Sequence, residues 1–198
     1  MVSPCGGIIC RGVIMLKSWN RATRTAWDDE QLRAFDTGNE DILVVVRATP
    51  EGVADAIPAG EVREFRATFG RRNLPTRVAD GLQALCIDSP ALAADITELG
   101  QSFLEQFGIR TANLRIEMVR IHSCPKFHCD NVHVRLVTTY HGPTTEYLFT
   151  GEEVVRVAPL YGLVFLKGHK HPMHQDGVHH RSPEVPDGGK RLCVVIDY

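Results

Sequence analysis

Histidine is concentrated at one end of the 198-residue sequence, because all nine histidines lie between positions 122 and 180. Among them, His128 is followed two positions later by Asp130. Side chains two residues apart point to the same side of an extended backbone. With a second imidazole, this pair supplies the two histidines and one carboxylate that hold iron in non-haem iron(II) oxygenases. Such a site keeps open positions for oxygen and a co-substrate.

The order of residues along the chain separates two candidate pairs of this type. His174 and Asp176 form a second pair, but little sequence follows them. In a jelly-roll oxygenase the paired ligands come early and the third ligand comes from a later strand, so the pair at His128 and Asp130 fits better. His180 lies downstream of that pair. We predict His128, Asp130 and His180 as the metal ligands.

Further residues are candidates for the walls of this site. His179 competes with His180, but adjacent residues of a strand face opposite sides, so only one of them can enter the site. Arg191 begins the last predicted strand, and its guanidinium can bind a dicarboxylic co-substrate through a bidentate fork. Tyr140 and Arg135 lie in an earlier predicted strand with opposite parity, so they cannot share one face. The predicted cofactor-binding residues are Arg191 and Tyr140.

Other cysteines and histidines are residue types that bind zinc, so zinc is an alternative to iron as the metal. The three imidazoles of the stretch 169–174 can converge on zinc, although a solvated polar loop is the simpler interpretation. Cys124 and Cys129 flank His128, which allows a mixed Cys/His site. Cys129 diverges from His128 on an extended backbone, and this disfavours their sharing one metal.

The elements that must position these residues fall into two regions. Residues 17–110 are predicted as a mainly helical support region, in which Ser89 caps a helix with apolar residues at helical spacing. Within this region, residues 41–47 are predicted as one buried strand. Residues 111–198 contain short strands at a spacing of about 8–12 residues without helical crossovers, which is typical of an antiparallel barrel. We predict an α+β fold: a double-stranded β-helix (jelly-roll) barrel with the N-terminal helical layer packed on it, in one compact domain. Residues 1–16 are predicted as flexible, or as preceding a true start at Met15.

Composition is that of an ordinary globular chain, with 43% hydrophobic and 23% charged residues. The 22 basic and 24 acidic side chains give a formal charge of −2. The sequence therefore lacks the excess of positive charge with which proteins bind nucleic acid or an anionic membrane. No apolar run approaches the roughly 18 residues of a membrane span. The six cysteines are irregularly spaced, and we predict a cytoplasmic setting.

Two blocks of this sequence resemble a bacterial family catalogued as domain of unknown function 1826. One block runs from Cys124 to Asp130, and the other is His180-Arg181-Ser182-Pro183. Shorter matches lie between and after them: Arg135-Leu136, Thr139-Tyr140, Gly142-Pro143, Thr145-Glu146 and Arg191-Leu192. The resemblance covers most of the chain and implies no activity, but the family is associated with zinc-homeostasis gene neighbourhoods.

The C-terminal half is also similar to the prolyl-hydroxylase-like iron(II)/2-oxoglutarate dioxygenases. Pro159-Leu160-Tyr161-Gly162 followed by His180 and Arg191 matches their order of Pro-x-x-Gly, distal histidine and basic residue. This resemblance implies His128, Asp130 and His180 as metal ligands and Arg191 as the anchor of the oxoglutarate carboxylate.

The expected function is therefore that of a non-haem iron(II)/2-oxoglutarate-dependent dioxygenase, with Fe(II) and 2-oxoglutarate as cofactors. The alternative is a non-catalytic zinc-binding protein of zinc homeostasis that uses the same site. Arg191 favours the enzyme, and the family's association with zinc genes favours the alternative. The expected partner is a small-molecule or protein substrate, not nucleic acid or a membrane.

Overall fold

The computed structural model describes residues 14–16, 27–53 and 60–198, and these form a mixed α/β structure with mostly antiparallel strands. The described part contains three helices: α1 (Asp29–Thr37), α2 (Leu74–Ala84) and α3 (Pro90–Gln106). It also contains ten strands: β1 (Ile14–Leu16), β2 (Ile42–Val46), β3 (Arg63–Gly70), β4 (Thr111–Val119), β5 (Val134–His141), β6 (Glu146–Phe149), β7 (Arg156–Val157), β8 (Leu163–Lys167), β9 (Val178–Arg181) and β10 (Arg191–Asp197). None of the described helices has the length and apolar character needed to cross a membrane.

The strands form two sheets. The larger has seven strands in the order β1-β2-β8-β5-β10-β4-β3, and the smaller has three in the order β7-β6-β9. All paired strands are antiparallel except β1 and β2, which pair in parallel. Many neighbours in the sheets are distant in sequence, so the long-range pairing brings residues 128–130, β9 and β10 together.

The helices cover one face of the seven-stranded sheet. In α3, the side chains of Leu92, Ile96, Leu99 and Phe103 are fully buried in this core. Ser89 accepts a hydrogen bond from the Leu92 amide, as the predicted cap requires. The helix predicted to follow Ser89 is therefore confirmed.

The opposite face of the large sheet packs against the small sheet. Val137, Cys193 and Val195 of the large sheet share an apolar cluster with Tyr147 and Val178 of the small one. The side chains of β10 alternate accordingly, because its even-numbered apolar residues belong to the helix-covered core instead. The odd-numbered residues of β10 therefore face the space between the sheets.

The structure corrects two predictions about the N-terminal half. Residues 17–110 contain more sheet than predicted, because β3 joins the large sheet and forms its edge next to β4, whereas the strand predicted at 41–47 is confirmed as β2. Ile14–Leu16, predicted as flexible or as preceding the start, pairs with β2 as strand β1. The rest of the segment 1–16, together with 17–26, lies outside the described residues.

Gly168 is a point of close backbone contact that supports the segment carrying Asp130. A Cβ atom at Gly168 would lie 2.6 Å from the Asp130 carbonyl oxygen and still closer to that of Val132. The Gly168 and His169 amides also donate to the His133 and Asp130 carbonyls, at 2.9 and 2.8 Å.

We expect Gly168→Ala to lower the free energy of unfolding by about 3 kcal/mol, because backbone atoms must move to admit the methyl group. Gly151→Ala is the matched control, since Gly151 has φ +83° but open space around its Cβ. The control should cost only about 1 kcal/mol, from the positive φ. Urea unfolding measures both changes, and equal losses would contradict this account of Gly168.

Candidate metal centre

His128 and His180 are joined by two backbone hydrogen bonds. The His128 amide donates to the His180 carbonyl at 3.0 Å, and the His180 amide donates to the His128 carbonyl at 2.9 Å. This isolated bridge places the two residues opposite one another, where cross-strand side chains are neighbours. The centroids of the imidazole rings are consequently 4.6 Å apart.

Asp130 completes a three-residue group with the two imidazoles. One nitrogen from each ring and one Asp130 carboxylate oxygen all lie within 4.8 Å of one another. His180 Nε2 is 3.0 Å from Asp130 Oδ2, and His128 Nε2 is 3.6 Å from Asp130 Oδ1. Neighbouring ligands of a six-coordinate cation with bonds of about 2.1 Å are about 3 Å apart, so the spacing suits a metal.

Asp130 Oδ2 is a carboxylate oxygen to which the described residues donate no hydrogen bond. It is buried, although His180 Nε2 is close. Burial raises the pKa of the Asp130 carboxyl, but the contact and charge of His180, followed by Arg135 and His128, outweigh burial and lower it to about 2. The carboxylate is therefore ionised at neutral pH and has a buried oxygen available to a cation.

Arg135 fixes the orientation of Asp130. Its Nη1 donates to Asp130 Oδ1 at 2.5 Å, while Nε and Nη2 donate to Asp197 Oδ2 at 3.1 and 2.5 Å. One guanidinium fork thus connects the candidate ligand to the end of β10. Of the two β5 residues considered from the sequence, Arg135 faces this site and Tyr140 does not.

The prediction that Tyr140 binds the cofactor at the His128–Asp130–His180 site is corrected, because Tyr140 lies on the opposite face of the large sheet. Its side chain belongs to the helix-covered core, and its hydroxyl donates to Asp95 Oδ2 at 2.5 Å. Arg47, which directly follows β2, pairs with the same carboxylate. Strand alternation explains the difference, because residues 135 and 140 have opposite parity.

His180 and His179 also separate as alternation requires. The His180 ring is almost fully buried and faces Asp130, whereas His179 Nε2 lies 3.3 Å from the exposed Asp176. Burial lowers the pKa of His180, with Asp130 acting in the opposite direction. His180 is therefore the member of the pair that joins His128 and Asp130.

The three residues line a cavity of about 510 Å³, a volume within the range of small-molecule sites. Its walls come mainly from the facing strands and include Val137, Thr145, Arg191, Cys193 and Val195. Glu64 and Arg66 of β3 line it as well, so the N-terminal half contributes to the cavity. The prediction of a mainly helical N-terminal region missed β3, although the alternation of Phe65, Ala67 and Phe69 with polar residues is a signal that could have found it.

Arg191 is a buried cation in the wall of this cavity. Its Nε donates to the Pro143 carbonyl at 3.0 Å, and its Nη2 lies 3.2 Å from both Thr145 Oγ1 and Cys193 Sγ. The nearest carboxylate oxygen, on Glu117, is 3.5 Å from Nη1. The guanidinium is thus held in place mostly by neutral groups, and its charge is only partly balanced.

A second three-residue group lies on the other side of the segment 128–130. Ligand atoms of Cys129, His169 and His174 all lie within 4.8 Å of one another. Burial, followed by Asp130, raises the pKa of the Cys129 thiol to about 11. His171, by contrast, is buried against Asp36, with its Nε2 3.1 Å from the carboxylate. The stretch 169–174 is therefore not simply a solvated loop.

Together these features define a mixed α/β protein in which two sheets face each other across a His–Asp–His pocket. Residues 28–197 match the family described as a protein of unknown function, DUF1826. Because the match covers most of the chain, this protein belongs to that family, and the predicted family membership is confirmed. No curated protein sequence matches the chain.

Several solved structures are similar to this chain at low sequence identity. JOX2, crystallised in complex with 2OG, Fe and JA, is 11% identical over 86% of this chain and 71% of its own, with a TM-score of 0.49. The viral collagen prolyl hydroxylase vCPH of Paramecium Bursaria Chlorella virus-1, solved as its 2OG complex, is 9% identical over 80% and 94%, at 0.41. A bsmA homologue from Methylobium petroleophilum PM1 is 17% identical over 55% of this chain and half of its own, at 0.34.

We expect Arg135→Ala to lower the free energy of unfolding of the metal-free protein by about 3 kcal/mol, because Asp130 and Asp197 lose their shared buried cation. Arg77→Ala is the control, since the Arg77 and Asp80 side chains are each 44% exposed, and it should change stability by about 0.5 kcal/mol at most. Guanidinium unfolding with a chelator present measures both. Similar small losses in the two variants would show that Arg135 does not support Asp130.

Proposed function

We propose that this protein is a non-haem iron(II)/2-oxoglutarate-dependent dioxygenase built on a jelly-roll barrel. His128, Asp130 and His180 are its metal ligands, and Arg191 anchors the co-substrate. The observation that carries the proposal is that these three convergent ligands and a buried, partly balanced guanidinium line one cavity. A metal site alone would not require the cation.

The metal ligands suit iron(II) for two reasons. Asp130 supplies an ionised carboxylate with a buried oxygen that accepts no hydrogen bond from the described residues, and burial favours the neutral form of His180. Two imidazoles and one carboxylate leave the remaining positions of a six-coordinate ion open. When bound, iron(II) and 2-oxoglutarate supply the oxidising chemistry, in which dioxygen is consumed, oxoglutarate is decarboxylated and a substrate is oxidised.

Arg191 binds and orients the co-substrate. A dicarboxylic co-substrate held at one end by the metal would have its second carboxylate desolvated in the same cavity, and a fixed cation such as the Arg191 guanidinium would compensate that cost. Thr145 Oγ1 lies beside the guanidinium and adds a hydroxyl donor. Val137, Cys193 and Val195 form the apolar part of the wall and exclude water.

A non-catalytic zinc-binding protein remains the second candidate, because a cysteine lies beside the same site. Cys124 Sγ is 3.8 Å from His128 Nε2 and is exposed. Zinc accepts thiolate, imidazole and carboxylate ligands in a closed tetrahedral set. Under this candidate, Cys124→Ser would sharply weaken metal binding, whereas an iron site of His128, Asp130 and His180 is indifferent to it.

The test is anaerobic titration of the metal-free protein with Fe(II) and then 2-oxoglutarate, followed by the visible charge-transfer band of the chelated complex. We expect the band in the wild type. Arg191→Met should weaken oxoglutarate binding by about 2–5 kcal/mol, as expected when one partner of a buried charge pair is removed, while Fe(II) affinity stays nearly unchanged.

Arg47→Met is the matched control for this titration. Arg47 is also buried and paired with a carboxylate, but it faces the helices and does not line the cavity. The control should therefore bind oxoglutarate as the wild type does, even if it is less stable. Absence of the band in the wild type, or normal oxoglutarate binding by Arg191→Met, would overturn the dioxygenase proposal.

A further inference from the structure

The segment 128–130 sends its side chains in two directions. His128 and Asp130 face the cavity between the sheets, and Cys129 between them faces the connection from β8 to β9. Successive residues of an extended backbone alternate in this way. Cys129 therefore meets a different set of side chains from its two neighbours.

Two histidines of the β8–β9 connection lie beside the Cys129 thiol. Cys129 Sγ is 3.8 Å from His174 Nε2, and the rings of His169 and His174 are nearly perpendicular, with centroids 5.0 Å apart. In a tetrahedral zinc site with the usual bond lengths, sulfur and nitrogen ligands are about 3.6 Å apart. The observed separation is close to that value without any movement of the backbone.

His174 has a second feature that indicates a metal ligand. Its Nδ1 is buried and has no hydrogen-bond partner among the described residues, yet it lies 3.5 Å from Asp41 Oδ1. A metal bound at Nε2 places the ring proton on Nδ1, where a carboxylate can accept it. This carboxylate–histidine–metal arrangement is common in zinc sites and satisfies a nitrogen that is otherwise unpaired.

Asp41 is itself held rigidly for that role. Its carboxylate accepts hydrogen bonds from the Gln175 amide at 3.0 Å and from the Gly177 amide at 2.7 Å. Asp41 is buried and follows α1 directly before β2. Backbone amides on both sides of Asp176 therefore fix Asp41, the carboxylate next to His174 Nδ1.

We propose that Cys129, His169 and His174 form a second metal site, and that this site binds zinc. A thiolate with two imidazoles is a ligand set typical of zinc. The group on the other side of the segment, His128, Asp130 and His180, includes a carboxylate and suits iron(II). His169 is exposed, so the fourth position is open to water. The bound zinc would tie the β8–β9 connection to the segment that carries His128 and Asp130.

The second site does not depend on the dioxygenase proposal, because the two sites share no ligand. The probe is Co(II), added anaerobically to the metal-free full chain and then displaced by Zn²⁺. Tetrahedral Co(II) with a thiolate ligand gives an intense near-ultraviolet charge-transfer band, which Zn²⁺ abolishes when it replaces cobalt. We expect this band in the wild type.

Two cysteine variants locate the thiolate ligand, and two histidine variants test the imidazole ligand and separate the two metal sites. Cys129→Ser should abolish the band, and His174→Ala should weaken zinc binding at least about 100-fold, since outer-shell partners alone contribute 10–100-fold. Cys124→Ser should retain the band, although Cys124 lies near His128. His180→Ala should also retain it while losing iron binding, which separates the two sites.

Three outcomes of the cobalt experiment would overturn the second site. A wild type without the thiolate band, or a band that survives in Cys129→Ser, removes Cys129 as a ligand. A band lost in Cys124→Ser would assign the thiolate to the cavity site. Failure of the wild type to bind oxoglutarate would overturn only the dioxygenase proposal, because the cobalt band does not report on it.

Discussion

The pair of backbone hydrogen bonds between His128 and His180 is the interaction on which the site depends. It fixes the segment 128–130 against β9, so that backbone alternation directs His128, Asp130 and His180 to one point. The same alternation turns Cys129 to the other side. A shift of one residue in this bridge would exchange the two groups of side chains. The close contact of Gly168 with the carbonyls of Asp130 and Val132 opposes such a shift.

The rest of the fold keeps this bridge in a rigid frame. Helices cover one face of the large sheet, and the buried Arg47–Asp95 pair with Tyr140 ties β2 and β5 to α3 on that side. On the other face, Arg135 connects Asp130 to the last strand. Asp130 is thus oriented by a largely buried guanidinium of β5 that is also held by the end of β10, which is the support that a preorganised site requires.

Sequence periodicity predicts much of this arrangement. The strand positions 111–119 and 191–197 and the helix after Ser89 follow from local apolar spacing. Alternation predicts that only one of His179 and His180 enters the site, and the position of His180 at the start of the block His180-Arg181-Ser182-Pro183 favours His180. Local patterns do not reveal β9, which is a four-residue strand with two histidines. The edge strand β3 has a local signal, the alternation of Phe65, Ala67 and Phe69 with polar residues, but the prediction of a mainly helical N-terminal region overlooked it. The contacts of Cys129 with His169 and His174 depend on long-range pairing, so spacing along the chain could not indicate them.

The central claim is that iron(II) sits between His128, Asp130 and His180 with its co-substrate against Arg191. It is tested most directly by X-ray diffraction from crystals grown anaerobically with Fe(II) and 2-oxoglutarate, with data collected on both sides of the iron absorption edge. We predict one anomalous iron peak about 2.1 Å from the three ligand atoms, with the distal carboxylate paired to the Arg191 guanidinium. Iron located at Cys129, His169 and His174, or oxoglutarate bound away from Arg191, would contradict the account.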